Sequence, residues 1–423
     1  MTSMRYFIPF ILLFLAVNAQ AGIVKSYSLK ADLSCSDNYA LLVLSASQLS
    51  SLIGNNVDEM SLFHMRSQKN NSTENWQPII FQIDQKDKQG RFIIQTDNKI
   101  PARLSAQDEL VIRKKDLGIQ LDPDAEIFNQ FKLIEVKVIN EMSDVMGWFY
   151  INTMPGQPLI FNLKKRELSY DKKQDTITTR AFKTGFSHSK PFLINFFYWR
   201  LAEDKWSDDL IDMMKIRHSG RFFGLPFHRS QDDYDSVLTA IKEGPLRIIR
   251  RTENHIRVFW KLKTPVLYID YIMMPDGFIM DTMIDIPFKI SFFFSELETF
   301  TTMDWNPVQP EPLLIFNNRI EEPVPVDGKE SAAKQAFNTI EDSRFSVQTF
   351  NGTFDVSLDI PDNFPVRALL YLNDYHNEAD PPENFPGQYG NVGFRTTGWE
   401  AVDSQLYHLK FTVCIQKQQN SMY

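Results

Sequence analysis

From Tyr27 to Cys35 the chain alternates: Tyr27, Leu29, Ala31, Leu33 and Cys35 fall on one parity, and Ser28, Lys30, Asp32 and Ser34 on the other. The period returns where Ile256, Val258, Trp260 and Leu262 oppose His255, Arg257, Phe259, Lys261 and Lys263. It recurs in Ile286, Phe288, Ile290, Phe292 and Phe294, and in Tyr407, Leu409, Phe411 and Val413. Successive side chains of a strand point to opposite faces, so a period of two specifies strands with one buried face and one wetter face. Antiparallel sheets have that character. The pattern predicts a mostly β protein: an N-terminal β-sandwich followed by a larger antiparallel β-sandwich, with few short helices.

Turn chemistry punctuates the strands. Lys88-Gln89-Gly90 would join Ile79–Asp84 to Arg91–Gln95. Asp276-Gly277, a pair favoured in tight hairpins, would join Tyr268–Met273 to Phe278–Asp285. Thr252-Glu253-Asn254 would join Leu246–Arg251 to His255–Lys263. Helix is expected only at Ser331–Phe337, for about two turns, with some apolar spacing at Asp204–Met214. Pro-rich stretches at Val308–Leu313 and Glu322–Val326 read as boundaries, and Asp380–Pro386 as a surface loop. The division expected is 22–165 for the first sandwich, 166–320 for a central β domain, and 321–423 for a C-terminal β segment packing on the centre.

The first 21 residues read differently. Arg5 precedes an apolar run from Tyr6 to Val17, and Ala19-Gln20-Ala21 has the small-residue pattern of a cleavage site. Spanning a bilayer takes roughly 20 apolar residues, which this run lacks. A secretory signal peptide cleaved after Ala21 is expected, with delivery to the periplasm or the cell exterior and no transmembrane helix afterwards. The remainder of a 423-residue chain is long enough for two or three domains. Its net charge is −8, and cleavage makes it one unit more acidic by removing Arg5. Such a chain is not a general nucleic-acid binder. The only cysteines, Cys35 and Cys414, lie near the two ends. In an oxidising compartment a bridge between them is expected, two separate thiols being the alternative.

Signatures of chemistry are sparse. No G-x-S-x-G occurs, and in Gly185-Phe186-Ser187-His188-Ser189 adjacent Ser and His would face opposite ways. The seven histidines form no H-x-H or HExxH pattern, though His218 and His228 flank a Gly-rich turn; no metal site and no cofactor is expected. Asp84, Asp87 and Gly90 suit a soluble hairpin better than a calcium loop. Asn373–Asp380 is denser in oxygen ligands and would suit a cation loosely, with a solvated loop as the plainer reading. The pairs Asp108-Glu109, Asp208-Asp209 and Glu321-Glu322 read as surface charge, since acid–base work needs carboxylates converging on one substrate.

The basic hairpin is the most informative local feature. Arg247, Arg250 and Arg251 precede the expected turn, and His255, Arg257, Lys261 and Lys263 follow it. A cationic strip on an acidic protein suits an anionic partner, since arginine can grip carboxylate, phosphate or sulfate through two parallel hydrogen bonds. Arg247, Arg251, His255, Arg257 and Lys261 are the candidate binding residues. An acidic glycan, a lipid head group or an envelope protein would fit. A sheet face neutralised by neighbouring Asp and Glu is the plainer explanation. Trp76, Trp148, Trp199, Trp206, Trp305 and Trp399 could stack sugars, although in a chain with 34 Phe most are expected in the core.

One order of motifs resembles a group of exported bacterial β-rich proteins with no established activity. It runs Phe81-Gln82-Ile83-Asp84, Gly90-Arg91, Asp108-Glu109-Leu110-Val111, Lys115-Asp116-Leu117-Gly118 and Gly147-Trp148-Phe149-Tyr150. It continues through Ser169-Tyr170-Asp171, Gly185-Phe186-Ser187, Met214-Lys215-Ile216-Arg217 and Glu243–Arg251, and ends in Gly390–Phe394 and Gly398-Trp399-Glu400. The Gly244-Pro245-Leu246-Arg247 strand is also similar to the large sandwiches of mutarotase-like and polysaccharide-lyase-associated proteins. The residues themselves point to an exported β-sandwich that binds an envelope component without catalysis. The second resemblance implies the alternative, a carbohydrate-active enzyme with its site in the central domain.

Overall fold

The computed structural model describes residues 22–30, 32–33, 35, 40–66, 76–94, 103–122, 132–140, 142–152, 167–307, 312–374 and 389–417. Among them the protein is mostly β, with one short α-helix at Ala332–Phe337 and no helix long and apolar enough to cross a membrane. The residues of the expected signal peptide lie outside this set.

The N-terminal sandwich packs a five-stranded sheet on a four-stranded one. The first runs Gly22–Lys30, Lys132–Ile139, Val145–Asn152, Ser61–Met65, Trp76–Pro78; the second runs Asp32–Leu33, Leu41–Ser45, Glu109–Arg113, Phe81–Asp84. Alternate residues such as Leu42, Leu44, Ile112, Val136, Phe149 and Ile151 fill the space between and are fully buried. The stretch read as one strand from Ser26 to Cys35 is divided between the two sheets. Its first part pairs in parallel with Lys132–Ile139, the exception to antiparallel pairing among the described residues.

Beyond Leu168 three sheets surround a single large core. One has five strands with Phe182–Phe186 at its centre and Ile194–Ala202 beside it, and a second runs Leu225–Arg229, Ile211–Phe222, Phe294–Trp305, Asn391–Thr397, Arg367–Asn373. The third has ten strands, with Ile248–Phe259, Leu267–Met274, Gly277–Asp285, Leu406–Lys417 and Gly352–Asp359 at its heart. Residues 321–417 thus contribute strands to the same sheets as the central region. Trp199, Trp305 and Phe354 meet edge to face in the core, with ring centroids 5.0–5.1 Å apart.

Four local expectations are corrected. Thr252-Glu253-Asn254 is not a turn, because Ile248–Phe259 is one continuous strand. The Asn254 amide donates to the Leu267 carbonyl and to the Thr252 hydroxyl, so a sequence with turn chemistry is satisfied inside the sheet. Asp204–Met214 is not helical; a two-residue strand at Lys205–Trp206 and the start of Ile211–Phe222 occupy it. Ile286–Phe293 is a loop with a 3₁₀ turn at Ile290–Phe292. Pro287 has no N–H to donate to a ladder, which disfavours a central strand there. The turn at residues 275–276 falls one residue earlier than the Asp-Gly pair suggests. Gly277 opens the next strand, where a Cβ would lie 2.2 Å from the Val413 carbonyl oxygen.

Cys35 and Cys414 are joined by a disulfide, with Cα atoms 5.6 Å apart. The bridge packs among Leu41, Val111, Leu246 and Met274, between the N-terminal sandwich and the ten-stranded sheet. Arg247 ties the same junction. Its guanidinium donates to Asp84 and Glu109, while Gln82 accepts the Leu246 and Arg247 amides.

Candidate functional site: an apolar cavity between two sheets

The facing surfaces of the second and third sheets do not close on each other throughout. At one end they part around a cavity of about 360 Å³, within the range of small-molecule sites. Residues two apart on each strand supply its walls. Ile256 and Val258, Met280, Thr282 and Ile284, and Leu409 and Phe411 come from the ten-stranded sheet; Leu297, Thr299 and Thr301 come from the opposite one. The loop Ile286–Phe293 and the hairpin between Ile211–Phe222 and Leu225–Arg229 frame its mouth with Phe222, Phe223, Phe288 and Phe293.

Polar groups in the wall are few. His218 is held by two hydrogen bonds, Nδ1 with the Thr299 hydroxyl at 2.9 Å and Nε2 with the Tyr234 hydroxyl at 2.7 Å. The two rings stack with centroids 5.9 Å apart. Burial lowers the His218 pKa to about 4 and raises that of Tyr234, so both are neutral at physiological pH. The charged lining residues are Lys263 and Asp285, both exposed. Lys263 pairs with Asp235 at 2.7 Å.

The five residues expected to grip an anion are not brought together, and none lines the cavity. Arg247 is buried at the junction between Asp84 and Glu109. Arg251 makes a two-pronged pair with Asp270 at 2.6 and 2.7 Å. The His255 Nδ1 lies 2.9 Å from the Thr264 carbonyl oxygen. Arg257 and Lys261 face solvent, Arg257 pairing with Asp233 at 2.7 Å and Lys261 lying over the Trp260 ring. Arg250 is fully buried against Phe186 and bonded to Asp175. Arg251, His255 and Arg257 share one parity of a continuous strand, but Arg251 and Arg257 are each paired with an Asp, and Arg247 and Arg250 are packed into buried junctions.

Other candidates resolve into structure. Ser187 bonds Ser189 and not His188, which is exposed. His228 is exposed on the strand beside His218. Asp87 closes its hairpin by accepting the Gln89 and Arg91 amides. Asp108 accepts the Lys86 and Ser105 amides. Asp209 accepts the Phe197 amide and, desolvated, is raised to about 6. Asp374 accepts from the buried Lys334 at 2.6 Å, and residues 375–380 of the acidic loop lie outside the described set. Trp199, Trp305 and Trp399 are buried. Trp260, absent from the sugar-stacking candidates, is 80% exposed.

No family model matches the sequence, and the search of curated proteins finds no match. Among solved structures the chain is similar to an α-mannosidase from Enterococcus faecalis V583, at 8% identity and a TM-score of 0.44 over 94% of this chain and 42% of that one. It is likewise similar to a protein in the glycosyl hydrolase family 38 from Enterococcus faecalis, at 7% identity and a TM-score of 0.44 over 92% and 44%. The chain spans less than half the length of either, and likenesses at this level carry no argument about function.

Proposed function

We propose that the protein is an exported binder of an apolar envelope component, holding a hydrocarbon portion such as an acyl chain between its two main sheets, without catalysis. The observation that carries this reading is the lining of the cavity: mainly aliphatic and aromatic side chains, interrupted by threonine hydroxyls and the uncharged His218–Tyr234 pair, with Lys263 and Asp285 as its charged residues, both exposed. Protein interiors are close-packed. Apolar surface left uncovered in such an opening forgoes about 25 cal/mol per Å², which a hydrocarbon ligand would recover by covering it. Export rests on the signal-peptide pattern, and the Cys35–Cys414 bridge is compatible with it.

Glycan processing has less support. A hydrolase or lyase site needs an acid and a base flanking a polar substrate. In the cavity the one carboxylate is the exposed Asp285, and His218 is already engaged on both nitrogens. The test is a titration of the purified protein with a fluorescent polyene fatty acid. Saturable binding at one site per chain, undiminished by excess acidic oligosaccharide, is expected. Absence of saturable binding, or displacement by the oligosaccharide, would overturn the reading.

A further inference from the structure

Six of the twelve large hydrophobic side chains exposed among the described residues sit on three neighbouring tips: Phe223, Leu225, Phe259, Trp260, Leu262 and Phe292. Trp260 is 80% exposed and the other five between 54% and 68%. The tips are joined to one another. The Phe223 amide donates to the Phe293 carbonyl at 2.9 Å, and Arg229 Nε donates to the Arg257 carbonyl at 2.7 Å. They also ring the cavity, since Phe222, Leu262 and Phe293 line it.

Charge marks the same three segments. Residues 221–229, 256–264 and 286–294 contain Arg221, Arg229, Arg257, Lys261, Lys263 and Lys289 and no Asp or Glu, in a chain of net charge −8. Four of these cations pair with carboxylates outside the three segments: Arg221 with Glu296, Arg257 with Asp233, Lys263 with Asp235 and Lys289 with Asp403. Such exposed pairs are worth little and exchange readily for other anions. Backbone geometry adds an independent sign. Phe223 and Trp260 occupy the hairpin turns at φ of 49° and 41°, where a bulky side chain is strained and Asn or Gly would sit comfortably. Each turn thus holds an outward aromatic ring at a conformational cost, the kind of outlier that points to a function.

We propose that these tips dock the protein on an anionic bilayer, aromatic rings in the headgroup layer and cations against lipid phosphates, with the cavity mouth facing the acyl chains. Apolar rings flanked by Lys and Arg are the composition of interfacial anchors. A symmetric contact with a second copy would set six cations against six. The proposal rests on the cavity reading for its purpose, while Leu225, Phe259, Trp260, Lys261 and Phe292, none of them lining the cavity, carry it independently.

The test compares wild type with the Trp260→Asn/Phe292→Ser variant, neither position lining the cavity. Both are sedimented with vesicles of phosphatidylcholine alone or with phosphatidylglycerol, and both are titrated with the soluble fatty-acid probe. Wild type should bind the anionic vesicles, less at high salt, and the variant should bind at least about tenfold more weakly with probe binding and melting temperature unchanged. Equal vesicle binding by the two proteins, no binding by wild type, or wild-type dimerisation that the variant abolishes would each overturn the proposal. Vesicle binding without probe binding would instead overturn the cavity reading and leave the docking surface standing.

Discussion

His218 Nε2 and the Tyr234 hydroxyl meet at 2.7 Å, making an uncharged polar seat in a wall built mainly of aliphatic and aromatic side chains. Burial holds the His218 pKa near 4 in the folded chain, against an ordinary value of about 6.5. Above pH 6.5 neither the folded nor the unfolded chain protonates it. As pH falls below 6.5 the unfolded chain takes up a proton that the folded one refuses, so stability is lost down to about pH 4. The loss reaches roughly 3 kcal/mol over that window. Denaturant midpoints across pH 4–7 should therefore fall less steeply for His218→Gln than for wild type. Identical slopes would contradict the assignment.

Arg247 supports a second prediction. It is buried between Asp84 and Glu109, and it is the leading favourable influence that, against desolvation, lowers both carboxyl pKa values. Removing one partner of a buried ion pair leaves uncompensated charge and costs about 3–5 kcal/mol. Arg247→Met should destabilise by about 3 kcal/mol in denaturant unfolding, the low end of that range, because Lys242 and Lys86 remain as partners of the two carboxylates and offset part of the loss. A loss below about 1 kcal/mol, the level of an exposed pair, would show that the group is solvated. The same variant should bind the fatty-acid probe normally once folded, since Arg247 is remote from the cavity lining.

The disulfide yields a third. Cys35 and Cys414 are separated by 379 residues, and their bridge is packed at the junction of the first sandwich with the ten-stranded sheet. Losing a native bridge typically costs about 2–5 kcal/mol. Cys35→Ser/Cys414→Ser should unfold at lower denaturant and release the N-terminal strands to protease first. Mass mapping without reductant should find the Cys35 and Cys414 peptides linked; free thiols at both would contradict the bridge.

The molecule's β character was readable in the sequence, because parity survives packing: Ile256 and Val258 do share the cavity face, as do Leu409 and Phe411. The cysteine pair was readable because only one pairing exists. Parity misled at Ile286–Phe294, where Pro287 breaks the ladder, and at Thr252–Asn254, where turn-forming residues are satisfied within a strand. The basic residues were visible, but not their fate. Arg247 meets Asp84 and Glu109 across more than 130 residues of chain, a proximity no local pattern reveals. The cavity was invisible for a related reason. Residues that line a void and residues that fill a core obey the same apolar alternation, and its walls come from strands as far apart as Ile216 and Phe411. The tips did leave a trace: three aromatic, basic segments free of carboxylates.

Binding of an apolar chain between the sheets is the central claim, and Thr301→Phe tests it most directly. Thr301 lines the cavity from the Phe294–Trp305 strand, and a phenyl ring there occupies the space an acyl chain would take. Melting temperature serves as the control for overpacking. The measurement is the dissociation constant of the fluorescent fatty acid for wild type and for the folded variant. Saturable one-to-one binding to wild type and at least about tenfold weaker binding to Thr301→Phe are expected, a difference of roughly 1.4 kcal/mol. Equal affinity for the two folded proteins would contradict the central claim, since the ligand would then lie elsewhere.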